Sequence, residues 1–588
     1  MCGIFAYAGS KNAGPLIING LKRLEYRGYD SWGIALLHQN QIKVTKRVGP
    51  IGNFSNLKSL PPSHIGIGHT RWATHGGVTQ LNAHPHFSTD KTFVVAQNGI
   101  VENYQQLKAQ LKKQHYHFES ETDTEVIVRL IESYLKKGLS LSQATQKAFL
   151  KLEGRNTIIV LSNKNQQIIA IRHGSPLVVG LVQDELILAS DTLSFANITN
   201  KVIFVNDKQM VNYLPGKLEF YDLANNKKIN KKPVLLKEKD TTIDKQGYDS
   251  FYLKEVMEQP ETIKNAILYS KKELQPFLQA LKKANRIYIL GAGSASFAAG
   301  QGAYFLRYYN HLNVTELKAY ELKSFVGLFQ KNDVVIAVSQ SGETADTLEA
   351  IKFAKSKGAK VASIVNMLGS TLSRESDWPF FTRSGPEISV VSTKAFTAQV
   401  SWFLLISQCL ANNEDSLRKV MQQTSKKIMD YSSSSYLKGL KSLAQKLLKK
   451  QHIYVLGRDE FFYIAQEAAM KIKEISYLHA EAFSAGELKH GVIALIDRGT
   501  PVMGIMPSSN QEEMLNALAQ VKARGAFVIG VGSNNNELFD EWIKTANTGE
   551  TQPIANLIPV QLLGYFLAKL KNLSPDKPRN LAKSVTVK

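Results

Sequence analysis

Cys2 stands directly after the initiator methionine. A small residue in second place normally lets that methionine be removed, and the thiol then lies beside its own α-amine. Such an amine has a reference pKa of about 7.7–8.0, so part of it is unprotonated at neutral pH. It can take the thiol proton, directly or through a water, and nucleophile and base then come from one residue. A second candidate is Val335-Ile-Ala-Val-Ser-Gln-Ser-Gly-Glu-Thr344, an apolar strand running into a hydroxyl-rich turn, with a helix expected from near Thr344. Strand, small polar loop and helix N-terminus make an anion site, and Ser339, Gln340, Ser341 and Thr344 can all donate to phosphate oxygens. The histidines His69, His75, His84 and His86 invite a metal reading. Their spacing matches no known zinc pattern, so neither a metal nor a cofactor is expected.

The elements that must hold these residues follow from periodicity. Runs at 93–96, 157–161, 168–171, 177–181 and 201–205 predict strands. Helices are expected over 12–24 and 123–137, the second opened by Glu121-Thr122-Asp123-Thr124, a helix-start signature. The polar stretch 222–245 reads as a linker. From about residue 248 apolar strands alternate with amphipathic helices, which implies a parallel sheet covered by helices. Arg286-Ile-Tyr-Ile-Leu-Gly291 returns as His452-Ile-Tyr-Val-Leu-Gly457, and Lys357-Gly-Ala359 returns at the same spacing as Arg524-Gly-Ala526. The repeat predicts two similar α/β domains in tandem. The end of the chain, with Pro575 and Pro578, is not expected to be helical throughout.

Of 588 residues, 44% are hydrophobic and 21% charged. That usage excludes a mostly disordered, collagen-like or coiled-coil chain. No continuous apolar run approaches the ~18 residues of a membrane span, and the first residues read as no secretory signal. Cys2 and Cys409 are the only cysteines, which fits a reducing cytoplasm rather than a secreted disulfide scaffold. Lys and Arg number 72 against 50 Asp and Glu, a net charge of +22. The lysines are spread along the chain, so they read as a solvated basic surface, with no nucleic-acid and no membrane partner expected.

Cys2 gains meaning from the motifs around and beyond it: Met-Cys-Gly-Ile-Phe-Ala, Arg23-Leu-Glu-Tyr-Arg-Gly-Tyr-Asp-Ser31, His69-Thr-Arg-Trp-Ala-Thr-His-Gly76, Gln97-Asn-Gly99 and Ser120-Glu-Thr-Asp-Thr-Glu125. As a set these resemble the class II glutamine amidotransferase domain, an N-terminal-nucleophile hydrolase with an αββα sandwich fold. The resemblance implies that Cys2 attacks the glutamine amide and that the Asn98 side chain and Gly99 N–H hold the oxyanion, charge stabilisation typically worth several kcal/mol. It implies Arg71 for the glutamine carboxylate through a bidentate fork and Asp123 for the ammonium. Thr74 and His75 would line the same pocket, and Trp72 would stand at a gate. Gln97 departs from the histidine common in relatives, and Trp32 from an alanine.

The second half resembles paired sugar isomerase (SIS) domains, doubly wound parallel sheets. Further matches are Val390-Val-Ser-Thr-Lys-Ala-Phe396, Lys471-Ile-Lys-Glu-Ile-Ser-Tyr477, His479-Ala-Glu-Ala482, Gly486-Glu-Leu-Lys-His-Gly491 and Arg579-Asn-Leu-Ala-Lys-Ser-Val-Thr-Val587. The order of both halves resembles the glutamine-dependent aminotransferases of phosphosugars. L-glutamine and fructose 6-phosphate are then the expected substrates, and a homodimer or larger assembly the expected state. The resemblance gives His490 ring opening, Lys583 amine chemistry at the open-chain ketone and Glu474 the proton shift between C1 and C2. Lys471, three residues before Glu474 and on the same side of a helix, would stabilise an enolate-like intermediate. Ser294, Ser339, Gln340, Ser341, Thr344, Val390 and Ser392 would take the sugar phosphate. Ala295 stands where relatives have a hydroxyl, and losing one hydrogen bond to a charged group costs about 1.5–3 kcal/mol unless compensated. Val492 replaces a proline. Action on another phosphosugar, or binding without turnover, stays open on the sequence alone. The expected division is an amidotransferase domain over 2–222, a linker over 223–247, SIS domains over 248–430 and 431–572, and an active-site tail over 573–588.

Overall fold

Alternation decides the layers of the N-terminal half. In the strand Gly3–Ala8, residues Ile4, Ala6 and Ala8 turn to one face while Phe5 and Tyr7 turn to the other, as a period of two requires. A computed structural model, describing residues 2–183, 185–236 and 243–586, shows what each face meets. Gly3–Ala8 lies inside an eight-stranded antiparallel sheet ordered Val234–Leu235, Lys201–Phe204, Val178–Val182, Glu185–Ala189, Gly3–Ala8, Ile65–Arg71, Ser31–His38, Gln41–Val48. A second antiparallel sheet has seven strands, ordered Lys227–Ile229, Lys217–Asp222, Gln209–Leu214, Gln167–Arg172, Asn156–Ser162, Phe93–Gly99, His86–Phe87. Ile4, Ala6, Val94, Ala96, Ile159 and Val179 fill the space between them. The helix Ala13–Arg23 covers the outside of the first sheet. Tyr104–Lys113, Thr124–Leu135 and Leu141–Phe149 cover the second. The four layers are the expected αββα sandwich.

Two of those helices were not expected. Tyr104–Lys113 buries only Leu107 and Leu111, too thin an apolar stripe to stand out. Leu141–Phe149 is short, although its capping box, Ser140 with Gln143, is legible in the sequence. The stretch read as linker is only partly one. Lys227–Ile229 and Val234–Leu235 are the outermost strands of the two sheets. Lysine on an edge strand discourages further pairing, and such a strand resembles a connector by composition. Residues 237–242 of that stretch lie outside the described residues, as does Val587 of the tail motif.

The chain divides into two compact units, one taking residues up to Ile243 together with the segment from Ala582, the other running Asp244–Leu581. The division falls inside the segment read as a single tail. The second unit holds two five-stranded parallel sheets. The first is ordered Val314–Lys318, Ile287–Gly291, Val334–Ser339, Lys360–Val365, Trp378–Phe381 and the second His479–Ser484, His452–Gly457, Pro501–Ile505, Phe527–Gly532, Glu541–Lys544. The two orders are identical, second–first–third–fourth–fifth, so the sequence repeat is a structural one. Both copies end a helix in the same way, with Ala359 N–H returning to Ala354 O and Ala526 N–H to Val521 O, the Schellman arrangement. Ile289 and Val455 face a core shared by the two copies, where the helices Ser294–Tyr308, Lys394–Leu410, Glu460–Ser476 and Gln552–Leu570 meet. Among the described residues one helical stretch, Gly549–Leu570, is long and apolar enough to cross a membrane by length and composition. It is 83% buried in this core. Its buried Asn556 and Gln561 interrupt the apolar run, which is why the sequence shows no continuous span.

The copies differ at one turn. Gly293 opens its helix at φ 58, ψ −136, and Asp459 opens the matching helix at φ 52, ψ −125. A side chain in this region is strained, typically by about 1–3 kcal/mol. The Asp459 side chain is exposed and its nearest cation, Arg458, is 3.9 Å away. Asp459→Gly should therefore stabilise the protein by about 1 kcal/mol, read as a rise in the urea midpoint of the second unit's transition.

Candidate active sites

Pairing of Gly3 with Thr70 and of Ser31 with Arg71 brings Cys2 to the end of the strand Ile65–Arg71. There Trp72 N–H donates to Cys2 Sγ at 3.3 Å, and the thiol donates to Trp72 O at 3.5 Å. Burial pushes the Cys2 thiol up, while the Trp72 N–H and the Arg71 charge pull it back down. Arg27 Nε donates to Cys2 O at 3.4 Å and its guanidinium pairs with Asp191 at 3.2 Å.

Asn98 and Gly99 end the strand Phe93–Gly99 of the facing sheet. Asn98 is buried and its Nδ2 donates to Ser190 Oγ at 2.8 Å. Gly99 has φ +142, and an added Cβ would lie 2.0 Å from Arg155 O. Only glycine allows that approach. Gln97 is spent on structure: Thr124 Oγ1 donates to its Oε1, and its Nε2 donates to Asn156 Oδ1 at 2.5 Å. Trp32 packs against Phe54 in the helix-covered outer core, so that departure is absorbed away from the space between the sheets.

Arg71 is buried, and its guanidinium holds the loop after it, donating to His75 O at 2.5 Å, Gly77 O at 3.1 Å and Gly76 O at 3.2 Å. Thr74 is exposed, 3.4 Å from His75 Nδ1, and the His75 ring meets Tyr104 edge-on at 5.0 Å. Asp123 is buried and accepts Val101 N–H at 2.7 Å. The helix Thr124–Leu135 starts directly after it, as expected, and the Asp123 carboxylate is turned to Val101 rather than to the helix end. Burial pushes this carboxyl up, against the pull of Val101 N–H and His75. Sequence reasoning missed Glu121, which accepts Gly77 N–H at 3.0 Å and Asn82 Nδ2 at 2.8 Å and so closes the loop from outside. Its only signal was its place in the Ser120–Glu125 motif.

His69, His84 and His86 form a buried row with ring centroids 4.4 and 5.0 Å apart. Burial pushes His69 down to about 3 and the other two well below the ordinary histidine value, so all three are neutral. Among the described residues no three His, Cys, Asp or Glu side chains are arranged to hold a metal ion.

In the second unit the strand order reverses between Ile287–Gly291 and Val334–Ser339, the place where such sheets take ligands. The turn after the first strand carries Ser294, and that after the second carries Ser339, Gln340, Ser341 and Thr344. Ser339 Oγ accepts Gly342 N–H at 2.9 Å and lies 3.4 Å from Thr344 Oγ1, Ser341 Oγ accepts Glu343 N–H at 3.1 Å, and Gln340 O accepts Asn366 N–H at 3.0 Å. Ser296, next to Ala295, is buried, and its hydroxyl donates to Gly293 O at 2.8 Å and accepts from Lys318 Nζ at 3.2 Å.

Close by is a charge cluster. Lys471 is wholly buried on the helix Glu460–Ser476, and its Nζ lies 2.7 Å from Glu474 Oε2, 3.3 Å from Glu467 Oε1 and 3.1 Å from Ser294 Oγ. Burial presses the ammonium down, but Glu467 and Glu474 outweigh it and hold it up. Glu467, one turn before Lys471, escaped the sequence reading because a lone carboxylate in an apolar helix face has no signature. Burial, opposed by Lys471 and aided by Glu474, pushes its carboxyl up to about 7.

Val390 N–H donates to Asp576 O at 3.0 Å, and Ser392 is half-buried beside it. The Asp576 carboxylate accepts Phe251 and Tyr252 N–H at 3.0 and 2.8 Å. Arg579 N–H donates to Tyr477 Oη at 2.7 Å with its guanidinium 4.4 Å over the ring. Residues 576–579 are thus tied down without helix. His490 is exposed on the short turn Glu487–His490. Lys583 is half-buried in the segment belonging to the first unit.

Fold and sites together define a glutamine amidotransferase unit joined to a unit of two SIS domains. Residues 56–233 match the glutamine amidotransferase domain family, and residues 280–407 and 446–568 match the SIS domain family. The chain is 39% identical to the glutamine–fructose-6-phosphate aminotransferase (isomerizing) of Pyrococcus horikoshii and 38% identical to the protein of that name from Clostridium acetobutylicum, over 100% of each chain. A solved structure, the C-terminal domain of glucosamine-fructose-6-phosphate aminotransferase from Francisella tularensis, matches 57% of the chain over its own full length, at 30% identity and a TM-score of 0.53. The chain belongs to the glutamine–fructose-6-phosphate aminotransferase (isomerising) family.

The contact at Gly99 gives a test. Gly99→Ala forces the Asn98–Gly99 corner away from Arg155 and should lower the kcat of glutamine hydrolysis by about 100-fold or more, measured as glutamate release.

Proposed function

We propose that this enzyme hydrolyses glutamine at Cys2 and passes the ammonia to fructose 6-phosphate, yielding glucosamine 6-phosphate and glutamate, the entry to amino-sugar synthesis. The observation that carries it is that one chain holds both a half-buried thiol seated on the Trp72 backbone and a buried Lys471 between two carboxylates. In this reading the thiolate attacks the amide carbon, and Asn98 Nδ2 with Gly99 N–H receives the oxyanion. Ammonia leaves, and water then cleaves the thioester to glutamate. Arg71 and Asp123 hold the two charged ends of free glutamine, with Thr74 and His75 beside them and Trp72 at the gate. The loop carbonyls that Arg71 now binds leave part of its five-donor fork for a carboxylate.

In the second unit, 248–430 and 431–572 serve as the two SIS domains, and Ser294, Ser339, Gln340, Ser341, Thr344, Val390 and Ser392 surround the phosphosugar. His490 opens the ring and Lys583 meets the C2 ketone. Ammonia forms the C2 imine with loss of water. Glu474 takes the C1 proton and returns it to C2, while Lys471 neutralises the enolate-like charge. Glu467 sets how much of the Lys471 charge remains for that task. The enzyme works as a soluble, cytoplasmic homodimer or larger assembly. No observation favours binding without turnover.

Glutamine carrying heavy nitrogen in its amide tests the whole reading. With fructose 6-phosphate present, mass spectrometry should find the label in glucosamine 6-phosphate. Labelled ammonia without labelled sugar would refute the acceptor, and Cys2→Ala that still releases glutamate would refute the nucleophile. The charge cluster adds a pH prediction. Glu467 ionises as pH rises through about 7, and its added negative charge takes up part of Lys471's positive charge. Phosphosugar isomerisation should therefore slow as pH rises through that value, and Glu467→Gln, fixed in the neutral form, should abolish the decline in a rate–pH profile.

A further inference from the structure

Ser190 comes directly after the strand Glu185–Ala189 and is 1% exposed. Its backbone N–H donates to Ile4 O at 3.0 Å, and its hydroxyl oxygen accepts Ile4 N–H at 2.9 Å and Asn98 Nδ2 at 2.8 Å. Ile4 is two residues from Cys2 on the nucleophile's strand, whereas Asn98 belongs to the facing sheet. One oxygen therefore ties the strand carrying the thiol to the side chain expected to meet the oxyanion.

The tie matters because the terminal torsion of an asparagine is soft, with broad minima. Other groups already hold the strand around Asn98. The carbonyl of Gln97 meets His69 Nε2 at 2.9 Å, and its side chain is held by Thr124 and Asn156. They leave the plane of the Asn98 amide undetermined. An amide nitrogen carries two N–H bonds. With one committed to Ser190, the plane is set and the second N–H has a single direction. His69, which bonds the neighbouring Gln97 carbonyl, is kept neutral by burial, so it places no cation beside Asn98. An oxyanion hole works through donors placed before the charge develops.

We propose that Ser190 is a positioning residue for glutamine hydrolysis: its hydroxyl oxygen fixes the Asn98 amide relative to the Cys2 strand, so that one N–H faces the tetrahedral oxyanion. The inference rests on the reading of Cys2 as nucleophile and Asn98 as oxyanion donor. Ser190 touches no substrate atom and acts on the transition state alone.

The test uses the full-length enzyme with Ser190→Ala and Ser190→Thr. Steady-state hydrolysis of glutamine is compared with binding of the γ-aldehyde analogue of glutamine, which adds to the thiol to form a tetrahedral, oxyanion-bearing adduct. Ser190→Ala should lower kcat about ten- to a hundred-fold, somewhat less than loss of an oxyanion donor itself. The KM for glutamine should stay within about two-fold, the aldehyde's affinity should fall by the same factor as kcat, and Ser190→Thr should recover most of both. An unchanged kcat, or a KM that rises as kcat falls while the aldehyde keeps its affinity, would overturn the proposal. Should the alanine variant fail to fold, Ser190→Cys, similar in size but a weak acceptor, carries the same comparison. Cys2→Ala, measured beside them, separates the failures. If it still hydrolyses glutamine, the nucleophile assignment is wrong. If it is inactive while Ser190→Ala is normal, only the role of Ser190 is wrong.

Discussion

A lysine ammonium taken wholly out of water costs several kcal/mol unless charges and hydrogen bonds surround it, and Lys471 is wholly out of water. Much of the second unit can be understood as the surroundings that make this tolerable. Helical spacing supplies two of the partners, Glu467 a turn before and Glu474 three residues after. The third, Ser294, comes from the first turn of a helix in the other copy of the repeat. The two copies are therefore joined here by a polar contact within a largely apolar core. Two carboxylates against one ammonium leave a surplus negative charge. Burial first, and Glu474 second, push the Glu467 carboxyl up to about 7, while the two carboxyl groups hold the buried Lys471 ammonium up.

The amidotransferase unit solves a different problem. Cys2 and the Asn98–Gly99 pair, the proposed nucleophile and oxyanion donors, lie at the ends of strands in two sheets whose mutual face is apolar, Ile4 and Ala6 against Val94 and Ala96. Apolar packing sets the spacing of the sheets but does not orient an amide. Orientation falls to buried polar groups at the margin of that core: Ser190 with Ile4 and Asn98, Gln97 with Thr124 and Asn156, and the neutral histidine row. Arg71 divides its donors in the same way, since the fork that suits a carboxylate also holds three carbonyls of its loop.

The repeat shows how one fold carries unlike turns. Both copies run strand, turn and helix with nearly the same backbone at Gly293 and Asp459. The first turn is small and hydroxyl-bearing. The second carries Asp459 and Glu460, and burial beside Asp459 pushes Glu460 up to about 7. Two carboxyl groups at that position oppose a phosphate where hydroxyls would welcome it, which fits a proposed phosphosugar site at the first copy's turn and the second copy's helix.

Much of this protein is legible in its sequence because the signals are local. Short apolar, β-branched runs at 93–96 and 157–161 mark the strands Phe93–Gly99 and Asn156–Ser162, the three-residue spacing of Lys471 and Glu474 puts them on one helix face, and recurrence of Ile-Tyr-Ile-Leu-Gly as Ile-Tyr-Val-Leu-Gly marks the tandem sheets. The motif residues around Cys2 and Lys471 are legible for the same reason. Only tertiary structure decided the rest. The strands Lys227–Ile229 and Val234–Leu235 look like linker until partners 201–204 and 217–222 claim them. Glu467 and Ser190 carry no signature, because their importance comes from what faces them across a core. Asp123 stands in a helix-start motif, and only the fold turns its carboxylate to Val101, 22 residues back along the chain. Periodicity and short motifs describe a residue's neighbours along the chain, whereas desolvation and hydrogen-bond competition are set by neighbours in space.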